Sequence, residues 1–140
     1  MGQSAFGPHV MVDASKCVFD KLVDYDLVFD ILDNLPAKLG MTKMTAPYVV
    51  KWLDKFGTVP GVSGFVMIAE SHISIHTFPD QDYVFIDIFS CREFDTEKAI
   101  KYLVSSFGAK KVTTKVIKRG LDFDRNKCCS PLEARVAQKA

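Results

Sequence analysis

The sequence predicts an α+β fold: a two-layer sandwich in which a mostly antiparallel sheet carries two helices on one face. Three observations predict it. Short apolar or strictly alternating runs recur along the chain, which is the signature of strands. Only two stretches repeat at three- and four-residue steps, so strands come in runs instead of alternating with helices. The 140 residues, 48% hydrophobic and 25% charged, match one soluble domain with a core of its own, spanning 1–140.

Residues 9–12 (HVMV) read as a short strand after the Gly7-Pro8 breaker. Tyr25 to Leu39 reads as a helix, because Leu27, Val28, Ile31, Leu32, Leu35 and Leu39 fall on one stripe and Gly40 can stop it. Pro36 should kink that helix or end it early. Met41 to Val50 reads as extended, broken at Pro47, and Val62 to Ala69 as a buried strand. In 72–78 (HISIHTF), His72, Ser74 and His76 share one face and Ile73 and Ile75 the other. In 83–91 (YVFIDIFSC), Tyr83, Phe85, Asp87, Phe89 and Cys91 share a face. Asp95 should cap a second helix with Ala99, Ile100, Leu103, Val104 and Phe107 inward and Gly108 as its stop. Val112, Thr114 and Val116 alternate in a last strand, and the polar tail from Asp122 should be loose.

Composition excludes several classes. With 18 basic and 17 acidic residues the net charge is +1, which lacks the basic excess of a nucleic-acid binder. No apolar run approaches the ~18 residues of a membrane span. The segment MGQSAFGPHV lacks the basic-then-apolar layout of a secretory signal. Cys17, Cys91, Cys128 and Cys129 form no C-x-x-C pair, and His9, His72 and His76 do not complete a zinc pattern. A reduced, cytoplasmic setting and no metal are expected.

Chemistry concentrates in residues 61–91, GVSGFVMIAESHISIHTFPDQDYVFIDIFSC. Each residue has an ordinary reading. Ser71 suits a polar turn, His76 a hydrogen-bonded structural histidine, and Cys91 a small buried hydrophobe. Gly61 and Gly64 suit a tight turn. Asp87 among aromatics needs a partner, since a lone buried carboxylate is costly. Together, Ser, His and Cys in one segment form a candidate nucleophile, base and acid set. A Cys–His hydrolase fits the same residues, and spacing does not separate the two.

GVSG at 61–64, AESHISIHTFP at 69–79 and Cys91 resemble the bacterial and archaeal S-adenosylmethionine decarboxylases, which are small pyruvoyl-dependent enzymes. FGPH at 6–9 and Lys118-Arg119-Gly120 extend the resemblance over about residues 6–120. It implies a proenzyme that cuts itself between Glu70 and Ser71 into a β chain, 1–70, and an α chain, 71–140. By resemblance, the Ser71 hydroxyl attacks the Glu70 carbonyl and Ser71 becomes the covalent pyruvoyl cofactor. His76 is then the proton acceptor in processing, with assistance from Ser63. The pyruvoyl ketone forms a Schiff base with the substrate amine, and Cys91 donates a proton to the decarboxylated carbon. A thiol suits that task because its reference pKa near ~8.5 keeps it mostly protonated at neutrality.

The resemblance further implies an (αβ)2 dimer with its active site near the subunit contact. It implies a small-molecule substrate, S-adenosylmethionine, decarboxylated for spermidine synthesis. Phe78 stands where many relatives have tryptophan and Asp80 where they have glutamate. The adenine-stacking aromatic before GVSG has no clean counterpart, Phe56 being nearest. Those departures keep arginine or ornithine decarboxylation open as an alternative. A non-catalytic small-molecule-binding domain is the rival of another class. No role is implied for Cys17, Cys128 or Cys129, and Lys118 and Arg119 read as a solvated strand end.

Overall fold

The computed structural model describes residues 5–53, 55 and 59–128. Its centre is one six-stranded sheet in the order β2-β3-β4-β5-β1-β6. The strands are β1 (Gly7–Ser15), β2 (Tyr48–Trp52), β3 (Gly61–Ile68), β4 (Ser71–Phe78), β5 (Tyr83–Ser90) and β6 (Lys111–Arg119). Every neighbouring pair is antiparallel. The expected α+β sandwich is the observed architecture.

One sheet face is packed. Val10, Val12, Val62, Val66, Ile73, Ile75, Val84, Ile86 and Ile88 are buried on it, and the register puts Val66, Ile73, Ile88 and Val10 side by side. The helices α2 (Tyr25–Lys38) and α3 (Thr96–Phe107) cover this face. From α2 come Val28, Ile31, Leu32 and Leu35, and from α3 Ala99, Leu103 and Phe107. A Cβ on Gly64 would sit 2.9 Å from both Leu32 Cδ1 and Val49 Cγ2, so the missing side chain lets α2 approach the sheet.

Caps fall where the sequence puts them. The Asp24 carboxylate accepts the Leu27 N–H and the Asp95 carboxylate the Lys98 N–H, each at 3.0 Å. Gly108 ends α3 at φ +60°. Pro36 does not break α2: it lies in the last turn, and its carbonyl accepts the Leu39 and Met41 N–H groups. The first strand is longer than expected, because Pro8 is tolerated near its start and pairing with β5 and β6 carries it to Ser15. Two single-turn helices add to the expected pair: α1 (Phe19–Leu22) and α4 (Arg125–Cys128). The residues just after Asp122 are therefore held and not loose. The last strand is also different. Val112 and Val116 point to the helix side but stay exposed, since β6 is the sheet edge and α3 packs over β1.

The other sheet face carries no helix. Its cross-strand rows read His9, Phe89, His72 and Met67; then Met11, Asp87, Ser74, Phe65 and Tyr48; then Asp13, Phe85, His76, Ser63 and Val50. The alternation expected for 72–78 and 83–91 is present residue by residue. Phe65, Met67, Phe78 and Phe85 are exposed on this face.

Candidate active site

Ile68 pairs with Ser71, so Ala69 and Glu70 form a two-residue turn between β3 and β4. The turn is anchored from both sides. Ala69 N–H donates to Thr42 O at 2.8 Å. The buried Glu70 carboxylate accepts the Thr42 N–H, at 3.1 Å to one oxygen. The Glu70 carbonyl accepts the Cys91 backbone N–H at 2.8 Å. Ser71 then enters β4 at φ +154°, a region that L residues avoid and that costs about 1–3 kcal/mol when enforced. The strain sits on the residue whose hydroxyl neighbours the Glu70 carbonyl. That carbonyl is already polarised by an N–H donor, the arrangement that stabilises a developing oxyanion.

Across the ladder, Ser71 pairs with Ser90. The buried Ser90 hydroxyl donates to Arg92 O at 2.8 Å and accepts Arg92 N–H at 3.0 Å, which turns the chain just after Cys91. Cys91 is a free, half-buried thiol. Gly7 makes room here, since a Cβ would lie 1.8 Å from Ser90 O. Cys17, the other free thiol described, is buried in the core, and burial pushes it up to about 11. It is an inert packing residue.

A second pair lies further along β4. His76 Nδ1 and Ser63 Oγ share a hydrogen bond of 2.9 Å, set by the Ser63–His76 register. The strand spacing of ~3.3 Å per residue puts His76 roughly 16 Å from Ser71. One chain therefore brings the Glu70–Ser71 junction to the Cys91 backbone, and Ser63 to His76, but does not bring the two pairs together.

Beside the Ser63–His76 pair is a cavity of about 400 Å³, lined among others by Ser63, Phe78, Asp80 and Trp52. Phe78 and Asp80 were expected at a substrate site, and Phe56 lies outside the described residues. Trp52 was missed: as an isolated aromatic in 45–60 it gave no periodic signal. Its exposure of 70% and its place opposite Gly61 mark it as a stacking surface. Thr77, buried beneath the cavity, accepts Val62 N–H at 2.8 Å and donates to Leu22 O at 2.7 Å. That double bond ties both strands to α1.

Asp87 has the partner it needed. Arg119 donates to His9 Nδ1 at 3.5 Å, which leaves His9 Nε2–H to donate to Asp87 at 2.9 Å. Arg119, exposed at the strand end as expected, also lies 4.2 Å over the Phe89 ring as a stacked cation. Among the described residues no group of three or more His, Cys, Asp or Glu could hold a metal ion. No helix of the described residues is long and apolar enough to cross a membrane.

A strained serine behind an anchored carbonyl, with the Cys91 backbone N–H on that carbonyl, is an arrangement suited to covalent chemistry on an α+β scaffold. The comparisons give that class its family. A sequence model of the S-adenosylmethionine decarboxylase family matches residues 8–120. The S-adenosylmethionine decarboxylase proenzyme of Pyrococcus furiosus is 36% identical over 117 residues, covering 83% of this chain and 80% of that one. The proenzyme of Clostridium botulinum strain Langeland is 40% identical over 115 residues, covering 81% and 94%. The crystal structure of the adenosylmethionine decarboxylase from Aquifex aeolicus superposes with a TM-score of 0.69 at 25% identity, covering 84% of this chain and 93% of that one. This chain belongs to the S-adenosylmethionine decarboxylase family.

Proposed function

We propose that this protein is a self-processing, pyruvoyl-dependent decarboxylase of S-adenosylmethionine. One observation carries the reading: the Glu70 carbonyl is held by the Cys91 N–H at 2.8 Å while Ser71 is strained at φ +154°. Ser71 Oγ adds to the Glu70 carbonyl carbon, and the Glu70–Ser71 C–N bond breaks to give an ester and a free amine. Loss of the Ser71 Cα proton then expels the Glu70 carboxylate from Cβ and leaves a dehydroalanine. Water hydrolyses that residue to a pyruvoyl group, and ammonia departs. Strain at Ser71 raises the starting state, and the Cys91 N–H stabilises the oxyanion of the first addition.

The surroundings of Ser71 fit the group. It would begin the 71–140 chain at the strand end beside Cys91, where a pyruvoyl carbonyl supplies an electron sink for decarboxylating an α-amino acid. Cys91 then holds a proton ready for the substrate carbon, which needs its thiol reduced. That requirement favours a cytoplasmic setting.

The base comes from a second copy. His76 is roughly 16 Å along β4 from its own Ser71, and the open sheet face exposes Tyr48, Phe65, Met67, Phe78 and Phe85. Two such faces packed about a two-fold axis would bring the Ser63–His76 pair of one copy toward Ser71 of the other, as an (αβ)2 dimer. The 400 Å³ cavity beside Ser63, with Trp52, Phe78 and Asp80, is then the substrate pocket. Aromatic faces suit an adenine and a sulfonium cation, and Asp80 can accept ribose hydroxyls. These features, with relatives named for S-adenosylmethionine, favour that substrate over arginine or ornithine and over a non-catalytic binding role. Its product would serve spermidine synthesis.

The test is the intact mass of the purified chain under denaturing conditions. Two fragments meeting at Glu70–Ser71, the second with a carbonyl in place of its α-amine, are expected. A single uncut mass after long incubation would overturn the reading. Carbon dioxide release from S-adenosylmethionine, arginine and ornithine in parallel then tests the substrate.

A further inference from the structure

Past β6 the chain folds back on itself. Gly120 makes the turn at φ +65°, and a Cβ there would meet Phe6 Cβ at 2.5 Å. Phe6 N–H donates to Gly120 O at 3.1 Å, and the Phe123 ring packs edge-on against Phe6 at 4.7 Å. This return carries Arg125 to the end of β5. Its Nη2 donates to the Cys91 carbonyl at 2.6 Å, to the Phe6 carbonyl and to the Ala5 carbonyl at 3.4 Å. One guanidinium thus joins the start of β1 to the residue just past β5.

Cys91 is held by its two main-chain groups in opposite senses. Its N–H donates to Glu70 O, and its C=O accepts from Arg125. Ser90 is locked by the β4–β5 ladder on one side. On the other side the chain leaves the sheet, and Arg125 is the side chain that grips the Cys91 carbonyl from there. Beside it is a cavity of about 210 Å³ lined by Phe6, Cys91, Lys118 and Arg125, among others.

We propose that Arg125 is a positioning residue for the reaction. It fixes the peptide planes of Cys91, so that the N–H stays on the Glu70 carbonyl during self-cleavage and the backbone that carries the thiol keeps its place during turnover. The inference rests on the proposed function. It lies beyond residue 120, where the family match ends, and in a stretch whose sequence reads as loose tail.

The experiment compares wild type, Arg125→Ala and Arg125→Lys as full chains. Cleavage is followed by intact mass over time, and carbon dioxide release from S-adenosylmethionine is measured on the fully cleaved fraction. Losing a charge-assisted hydrogen bond should slow cleavage in Arg125→Ala by roughly 10- to 100-fold. It should lower kcat by a similar factor, with KM within about twofold, because Arg125 acts through Cys91 and not on the bound ground state. Arg125→Lys should recover part of both rates, since it keeps the charge but not the fork. A purely structural role would lower the melting temperature and leave kcat of the cleaved enzyme unchanged. Wild-type cleavage and kcat in a folded Arg125→Ala protein would overturn the proposal. If that variant does not fold, Arg125→Gln is read by the same criteria. A wild-type chain that never cuts would overturn the proposed function and this inference with it. A wild type that cuts beside an unaffected variant overturns this inference alone.

Discussion

In the proposed reaction, Cys91 separates two tasks that one residue would otherwise confuse. Its N–H faces the Glu70 carbonyl, while its thiol is free. Cys91→Ala keeps the N–H, so it should still cut at Glu70–Ser71 while kcat falls by roughly 10²- to 10⁴-fold, the usual worth of a positioned proton donor. Ser71→Ala lacks the attacking oxygen and should stay uncut; cleavage of that variant at the same bond would sink the mechanism. The two thiols differ in the same testable way. Cys17 is buried and its pKa is raised, so at pH 8 iodoacetamide should label the more accessible Cys91 of the folded protein far faster than Cys17. The sign for stability follows. Folding holds Cys17 protonated, so its contribution is complete below about pH 9 and is lost as pH climbs toward about 11. A denaturation midpoint that did not fall across that window would contradict the burial of the thiol. At this scale the family resemblance named Ser71, His76, Cys91 and Ser63 as candidates, where spacing alone left a Cys–His hydrolase open. Arg125 and Trp52 could not be named, because neither their type nor their spacing says which carbonyl or cavity the fold brings to them.

Elements were legible where a local period and a local stop agreed. The run HISIHTF gives a strand in any context that covers one face, and Asp95 with Gly108 brackets α3 at both ends. Asp95→Ala removes the acceptor of the Lys98 N–H and should cost about 1 kcal/mol in urea denaturation. Gly64→Ala should cost more, about 1–3 kcal/mol, because its Cβ meets α2 and β2 together; a neutral result would mean that the helix stands farther off. What periodicity missed was set by neighbours. Only pairing on both sides carries β1 to Ser15. The edge position of β6 leaves Val116 51% exposed despite its alternation. Whether an alternating strand has one covered face depends on which element lies above it, and no residue within the strand encodes that.

For the whole molecule, the proposed dimer rests on the open face. Phe65 lies on this face in β3 and is exposed in the single chain, so Phe65→Lys should leave the fold intact. Sedimentation should then show a monomer, and the mass should stay that of the uncut chain. A mixing experiment asks which copy supplies the base. A Ser71→Ala chain still has His76, and a His76→Ala chain still has Ser71. Unfolded and refolded together, they should restore cleavage of the His76→Ala chain. Each alone should remain uncut. No cleavage in a confirmed mixed dimer would put His76 back within its own chain.

Because β1 lies between β5 and β6, a cut after Glu70 leaves two pieces plaited through each other. The piece 1–70 owns β1, β2 and β3, and the piece 71–140 owns β4, β5 and β6. They meet along the β3–β4, β5–β1 and β1–β6 ladders. Neither could leave without unzipping the middle of the sheet, so a nicked protein would survive on the height of its unfolding barrier. Once unfolded, it no longer refolds as a single chain. The pieces must first collide, and one must thread its first strand back between two strands of the other. The uncut chain should therefore regain its own sheet from urea at a rate independent of concentration, whereas the cut one should regain it more slowly the more dilute it is, or be lost to aggregation. Maturation would turn a reversible fold into a ratchet, assembled once and not repaired.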